Sequence, residues 1–135
     1  MKIKIIPFGP QPLPNRAHFN DAGADCYAAE EYILKPHETK ALPLGFGLEL
    51  PDGMVGFVCP RSGLSRRGIS CELAPVDSGY RGEIHAIVTN HTEEEYRIKR
   101  HDRIGQIVIL PCVVADFTTE NYEQRGTGAF GSTGA

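Results

Sequence analysis

Apolar and polar residues alternate in short runs along the chain, and clusters of glycine, proline, asparagine and aspartate separate the runs. In residues 84–90, for example, Ile84, Ala86 and Val88 fall on one side of an extended chain. This period of two predicts half-buried β-strands. The predicted strands are residues 3–6, 31–34, 40–44, 45–50, 55–59, 69–72, 84–90, 96–98 and 103–113.

Turn-forming residues interrupt the strands at 12–15, 35–37, 51–53 and 90–93. The helical candidate is the short stretch 62–67, which lies between two predicted strands. The pattern therefore predicts an all-β fold, a compact distorted jelly roll or β-clip barrel with one short helix and a flexible, glycine-rich C-terminal arm. An open β-sandwich is the alternative.

Composition and charge narrow the classes of function. A chain of 135 residues has the length of one domain. The net charge of −3, with signs interspersed, gives no basic stripe, so we expect no stable complex with nucleic acid. The first seven residues are too short and too interrupted for a signal peptide, and no apolar run approaches membrane-spanning length. We therefore expect a cytoplasmic protein that makes no membrane contact.

The four cysteines, Cys26, Cys59, Cys71 and Cys112, are widely spaced among apolar residues and form no C-x-x-C pair. This spacing favours reduced thiols in the core over disulfides or a zinc site. The glycosylation sequon that begins at Asn90 is interpreted as a chance match, because nothing indicates a secretory route.

The segment 76–83 has the composition of a tight hairpin that leads into a strand. Gly79 and Gly82 are expected to supply backbone positions with positive φ. The hairpin would fix a carboxylate, Asp77, close to a phenol, Tyr80. Asp77 can orient or deprotonate a water molecule, and the ring of Tyr80 can pack against a flat or sugar-like ligand. A surface turn capped by Asp77 is the alternative.

A second candidate site is the end of the predicted strand 55–59, where Arg61, Ser62 and Gly63 enter the helical turn. A guanidinium, a hydroxyl and free N–H groups together can hold an anion. A basic, solvated turn is the alternative. Asp25 lies in an apolar, strand-like segment and needs a partner if it is buried. Gln106 is a neutral donor in an apolar strand.

The C-terminal residues 125–135 contain one large apolar side chain, Phe130, and cannot pack a core. Residues 126–131 match G-x-G-x-x-G, but no strand precedes them and too few residues follow to form a helix, so a dinucleotide site is excluded. We expect a domain at residues 1–120 and a flexible arm at 121–135. The arm is suited to closing over a phosphate-bearing aromatic ligand. A tail without a role is the alternative.

Five segments of this sequence, taken together and in order, closely resemble the motifs of the homotrimeric deoxyuridine triphosphate nucleotidohydrolase (dUTPase) family. They span nearly the whole chain, at residues 22–28, 60–65, 77–83, 102–106 and 125–134. The departures from the family pattern are small and comprise Ala74, Pro75, Gly105 and Ala129. Ala74 and Pro75 border the base pocket of the family, so these two affect pocket detail rather than the chemistry.

The resemblance implies hydrolysis of dUTP to dUMP and pyrophosphate, which limits uracil incorporation into DNA and supplies dUMP for thymidylate synthesis. Asp77 would activate the water that attacks the α-phosphorus. Mg2+ chelated by the triphosphate would neutralise charge, and Asp25 would hold its water shell from outside. The implied phosphate-binding residues are Arg61, Ser62, Gly63, Gln106 and Arg125.

The family also implies how the nucleoside is held. Uracil would be read by the backbone of Ala74, Val76 and Gly79, and Tyr80 would exclude a 2′-hydroxyl. From the arm, Phe130 would stack on uracil, Ser132 and Thr133 would reach the γ-phosphate, and Gly131 would also contact the substrate. Each active site would be shared by the subunits of a homotrimer, with the arm and the hairpin supplied by different chains.

Two other functions are weighed against this one. A dCTP deaminase shares the fold and an Arg-Ser-rich second motif, but the segments 77–83 and 125–134 match the hydrolase more closely. The second alternative is a regulatory or binding protein, in which the trimer is a docking platform and the active site is weakened. Intact Asp77, Tyr80 and Arg125 speak against it, since a site freed from catalysis has no need of all three.

Overall fold

The computed structural model describes residues 1–121. Within them the chain forms eleven short strands and one helix. The strands are β1 (Lys4–Pro7), β2 (Ala24–Tyr27), β3 (Tyr32–Leu34), β4 (Thr39–Pro43), β5 (Phe46–Glu49), β6 (Met54–Cys59), β7 (Ile69–Glu72), β8 (Pro75–Val76), β9 (His85–Asn90), β10 (Tyr96–Ile98) and β11 (Arg103–Pro111). The helix α1 (Ser62–Arg66) lies between β6 and β7. The predicted all-β class with one short helix is confirmed.

All strand pairs are antiparallel, and they form four small sheets. The largest has the order β2-β11-β6-β8, and a second has the order β4-β9-β7. Two-stranded sheets of β1 with β5 and of β3 with β10 complete the arrangement. The long strand β11 pairs with β2 along one edge and with β6 along the other, so it lies inside the sheet.

Every predicted strand coincides with an observed one, with differences at the ends. The predicted strand 103–113 ends at Pro111, and the helix ends at Arg66 instead of residue 67. The strand-like segment around Asp25 forms β2. Strand β8 was not predicted, because its two residues are too few to show an alternating pattern and only pairing with β6 makes them a strand.

The core lies between the sheets and consists of aliphatic side chains around Phe46. The alternation in β9 has the predicted result, because Ile84, Ala86 and Val88 are all buried. Burial of a large aliphatic side chain stabilises the fold by about 1.5–3 kcal/mol. No helix among the described residues is long and apolar enough to cross a membrane.

The four cysteines are free, as predicted. Burial raises the pKa of Cys26 to about 12 and that of Cys71 to about 11, so both remain protonated thiols near neutral pH. Cys59 is half-buried. Cys112 is exposed, so its predicted place in the core is wrong: β11 has already ended, and the chain leaves the sheet there.

Asn90 is a polar side chain that is completely buried at the end of β9. Its amide nitrogen donates to the carbonyls of Leu34 (3.1 Å) and Glu94 (2.7 Å). Its oxygen accepts from the N–H (3.0 Å) and the hydroxyl (2.7 Å) of Thr92. The amide therefore ties the turn after β9 to β3, and it leaves no room for a glycan at the sequon.

We predict that Asn90→Ala lowers the free energy of unfolding by about 2 kcal/mol or more, because the buried Leu34 carbonyl loses its donor. Urea unfolding followed by circular dichroism, at a fixed protein concentration, measures this loss. Thr89→Ala is the matched control, since Thr89 bonds only a surface hydroxyl, that of Thr39 at 2.8 Å. Equal losses in the two variants would contradict the role assigned to Asn90.

Candidate functional site

The segment 76–83 joins two sheets and is not a hairpin, so that prediction is wrong. Strand β8 before it pairs with β6, whereas β9 after it pairs with β4 and β7. A β-turn closes the segment where the Tyr80 N–H donates to the Asp77 carbonyl at 3.1 Å. The local turn signal was correct, but which strands pair depends on contacts distant in sequence.

Gly79 and Gly82 do not have the predicted positive φ. Gly82 instead makes a close contact with the Tyr80 side chain. A Cβ placed there would lie 2.5 Å from the Tyr80 hydroxyl oxygen and 2.7 Å from the ring carbon that carries it. The phenol therefore lies directly against the backbone at Gly82, and a side chain there would displace the Tyr80 ring. Open space surrounds Gly79.

Asp77 and Tyr80 lie at the same cavity, of about 230 Å³, which we call the turn cavity. Both side chains are exposed, and 45% of the Tyr80 surface is accessible. The Tyr80 hydroxyl donates to the Glu83 carbonyl at 2.7 Å, which fixes the direction of the ring. The residues that line the turn cavity are Ala74, Pro75, Val76, Asp77, Tyr80, Glu83, Ile84 and His85.

The pairing of β11 brings three predicted residues, Asp25, Arg61 and Gln106, together with Arg103. We call these four residues the arginine cluster. Gln106 lies opposite Asp25 on one side and opposite Cys59 on the other. Its side-chain amide donates to the Pro60 carbonyl at 3.1 Å. That bond holds the chain where it leaves β6 and enters α1.

Asp25 is the acid of the arginine cluster, and 22% of its side chain is exposed. Its carboxylate oxygens lie 3.8 Å from the Arg61 Nε and 3.5 Å from an Arg103 guanidinium nitrogen. Arg61 also donates to the Arg103 carbonyl at 3.0 Å. Asp25 therefore has charged partners, Arg61 and Arg103, as expected for a carboxylate in an apolar strand. Arg103 was not selected from the sequence, although its place in segment 102–106 was a signal.

A polar cavity of about 430 Å³ opens beside the arginine cluster. Arg61, Arg67 and Arg103 line it, as does Gly63 from the first turn of α1. Ser62 and Gly63 are exposed, and no atom lies within 4 Å of the place where a Gly63 Cβ would stand. The cavity therefore offers cationic groups and open space to an anion.

The structure does not bring Asp77 and Arg61 together within one chain. Val76 pairs with Gly56 near the start of β6, and Ser78 contacts Asp52 before that strand (3.3 Å). Arg61 follows the other end of β6. A strand of six residues spans about 20 Å, so the turn cavity and the arginine cluster lie at opposite ends of the sheet.

The remaining predicted site residues lie outside the described residues, as does nearly all of the predicted arm 121–135. They are Arg125, Phe130, Gly131, Ser132 and Thr133.

Comparison with known proteins gives a consistent result. The sequence profile of the dUTPase family matches residues 10–134. The chain is 43% identical to the deoxyuridine 5′-triphosphate nucleotidohydrolase of Leifsonia xyli subsp. xyli, covering 96% of this chain and 90% of that one. Identity to the Clostridium tetani protein of the same name is 37%, covering 99% and 96%.

Among solved structures, the Staphylococcus bacteriophage 80alpha dUTPase with dUpNHpp superposes with a TM-score of 0.88 at 26% identity, covering 99% of both chains. The profile covers most of the sequence, and the relatives exceed one third identity over nearly their whole length. The chain therefore belongs to the dUTPase family.

Proposed function

We propose that this protein hydrolyses dUTP to dUMP and pyrophosphate, with Asp77 as the general base. The observation that carries the proposal is the turn cavity, which places an exposed carboxylate beside an aromatic ring in a chain of this family. A base held at a binding cavity can orient a water for attack on the α-phosphorus. The reaction would keep uracil out of DNA and supply dUMP in the cytoplasm.

The turn cavity would hold the nucleoside. Its wall is formed by residues 74–76, and Tyr80 presents a ring face that can pack against a deoxyribose. Pro75 has no N–H, and the Ala74 N–H already donates to the Glu72 carbonyl at 3.2 Å. Any main-chain donors to uracil would therefore come from the stretch between Val76 and Gly79.

The arginine cluster would hold the triphosphate. Arg61 and Gln106 are fixed by hydrogen bonds to main-chain carbonyls, so they are already ordered before a ligand arrives. Ser62 and Gly63 stand exposed next to them. Ordered cationic and neutral donors stabilise the charge that develops on a pyrophosphate leaving group.

The residues present fit a magnesium ion that the substrate brings. Within residues 1–121 no group of three potential ligands could form a protein cage. Mg2+ at nucleotide sites keeps several waters and takes one or two carboxylates in addition to phosphates. Asp25 is a single carboxylate in the arginine cluster and would hold such waters. Bound Mg2+ would neutralise phosphate charge. A related phage phi11 dUTPase structure is described as coordinating a structural Mg(II) ion.

The separation of the two groups supports a homotrimer with shared sites, as the family resemblance implies. A ligand that needs both groups has to bridge two copies of the chain. After β11, the side chains of Val113, Val114 and Phe117 are 89%, 84% and 97% exposed. Three large apolar side chains within five residues favour burial against another copy.

The arm would complete the site from a further copy. Arg125 would add a cation, Phe130 would stack on uracil, and Ser132 and Thr133 would reach the γ-phosphate. Gly131 would also contact the substrate. This part of the proposal rests on the sequence resemblance, because the described residues end at Asn121.

A panel of deoxynucleoside triphosphates, assayed for pyrophosphate and for ammonia, tests the proposed function. We expect pyrophosphate from dUTP in the presence of Mg2+ and no ammonia from dCTP. Ammonia from dCTP would indicate a deaminase of the same fold. The absence of both products, with nucleotide binding retained, would favour a binding protein.

We predict that Asp77→Asn lowers kcat by at least about 10²-fold and leaves dUTP binding in place, because the shape is kept and the base is lost. Single-turnover kinetics measure the chemical step, and equilibrium dialysis with Ca2+ in place of Mg2+ measures binding. Asp52→Asn makes the same replacement of a carboxylate by an amide on the neighbouring turn, and it is the control. A turnover near the wild-type value in Asp77→Asn would remove that residue from the base role.

The shared site predicts complementation between two inactive variants. Mixed trimers of Asp77→Asn and Arg61→Ala chains should regain activity, with about one site in four intact at equal amounts. Steady-state assays after verified subunit exchange measure the recovery. Asp77→Asn mixed with Tyr80→Ala is the control and should gain no activity beyond that of its Tyr80→Ala chains, since both substitutions lie in one turn cavity. Failure of the first mixture to recover would place both groups in one chain's site.

A further inference from the structure

Glu83 ends the segment that carries Asp77 and Tyr80, and it makes contacts in two directions. Its carboxylate accepts the Gly45 N–H at 2.8 Å. Its main-chain carbonyl accepts the Tyr80 hydroxyl at 2.7 Å and lies 3.1 Å from the His85 Nδ1, which is the donor in that contact. Glu83 is half-buried, and it forms no ion pair with any described residue. The bond to Gly45 is thus the principal polar contact of this carboxylate.

Gly45 belongs to the turn between β4 and β5, with φ of +80°. It is buried, and a Cβ there would lie 1.8 Å from the Gln11 amide nitrogen. A buried N–H that loses its partner is costly, and a charged acceptor makes a stronger bond than a neutral one. The carboxylate of Glu83 therefore fastens the start of β9 to a turn whose own conformation is fixed.

Tyr80 depends on where this attachment holds the backbone. Its hydroxyl donates to the Glu83 carbonyl, and its ring lies against the backbone at Gly82, so that a side chain at residue 82 would displace the ring. Hydrogen bonds of Ile84 with Leu44 (3.0 Å) and Phe46 (2.8 Å) fix the next residue along the chain. The Glu83 carboxylate extends this attachment by one residue, to the carbonyl that the phenol uses.

We propose that Glu83 is a positioning residue that sets the discrimination between deoxyribose and ribose. It would do so by fixing the position of the Tyr80 ring in the turn cavity, and thus its distance from the sugar. This inference rests on the proposed function, in which the ring of Tyr80 packs against the sugar. A 2′-hydroxyl is excluded sterically only if the Tyr80 ring cannot move away from it. Selectivity therefore requires that the backbone that positions the ring be rigid.

The test compares kcat/KM for dUTP and UTP in Glu83→Ala, Glu83→Gln and wild-type protein. Glu83→Ala should reduce the dUTP-to-UTP ratio by about tenfold or more, mainly through KM for dUTP, because a displaced ring fits both sugars poorly. Glu83→Gln retains an oxygen that accepts the Gly45 N–H and should keep most of the ratio. Glu49→Ala removes a half-buried carboxylate from β5, away from the cavity, and should leave the ratio unchanged.

Tyr80→Phe provides a second measurement, since it removes only the hydroxyl that bonds to Glu83. If both residues act through one contact, the Tyr80→Phe and Glu83→Ala effects on the ratio should be less than additive in the double variant. Glu83→Asp, which keeps the charge but is one methylene shorter, replaces Glu83→Ala if that chain fails to fold. Unfolding curves of every variant separate a loss of stability from a loss of selectivity.

The outcomes separate this inference from the proposed function. Wild-type protein without dUTP hydrolysis would overturn the proposed function. Active wild-type protein together with an unchanged dUTP-to-UTP ratio in Glu83→Ala or Glu83→Asp would overturn only the role of Glu83. A lower unfolding free energy with an unchanged ratio would show that the carboxylate serves stability alone, which also overturns the inference.

Discussion

The simultaneous pairing of β11 with β2 and β6 is the constraint on which the arginine cluster depends. Asp25 and Gln106 are far apart in sequence, yet the register places them opposite each other. The same register places Gln106 opposite Cys59, so its amide reaches the chain that leads to Arg61. Each backbone hydrogen bond is modest, but a register shift by one residue would turn every side chain of the strand to the other face.

The sheet that brings the residues of the arginine cluster together also separates this cluster from the turn cavity. A paired strand is a rigid spacer, and its two ends cannot approach each other. Asp77 follows β8 at one end of β6, and Arg61 follows the other end. Under the proposed shared site, this separation is what a ring of head-to-tail copies would overcome, because such a ring places one end of a copy against the other end of the next.

Two glycines of the described residues allow a close approach between chain segments, and one of them, Gly45, also has the positive φ of its turn. Gly82 leaves space for the phenol of Tyr80, and Gly45 leaves space for Gln11 while it presents an N–H to Glu83. Sequence reasoning assigned Gly82 to a backbone conformation because composition alone gives no information on what packs against a residue. The same glycine would be selected for either reason, so the structure was needed to distinguish them.

Local patterns in the sequence determined the strands, the short helix and the buried face of β9, because alternation and turn residues act over a few neighbouring positions. The order of the motifs indicated the family. The resemblance to that family in turn predicted the site residues Asp25, Arg61, Asp77 and Gln106. Tertiary structure alone decided that residues 76–83 connect two sheets and that Arg103 joins Asp25. It alone placed Asp77 far from Arg61. Strand pairing between residues distant in sequence follows from the packing of the whole core, and no short segment contains that information.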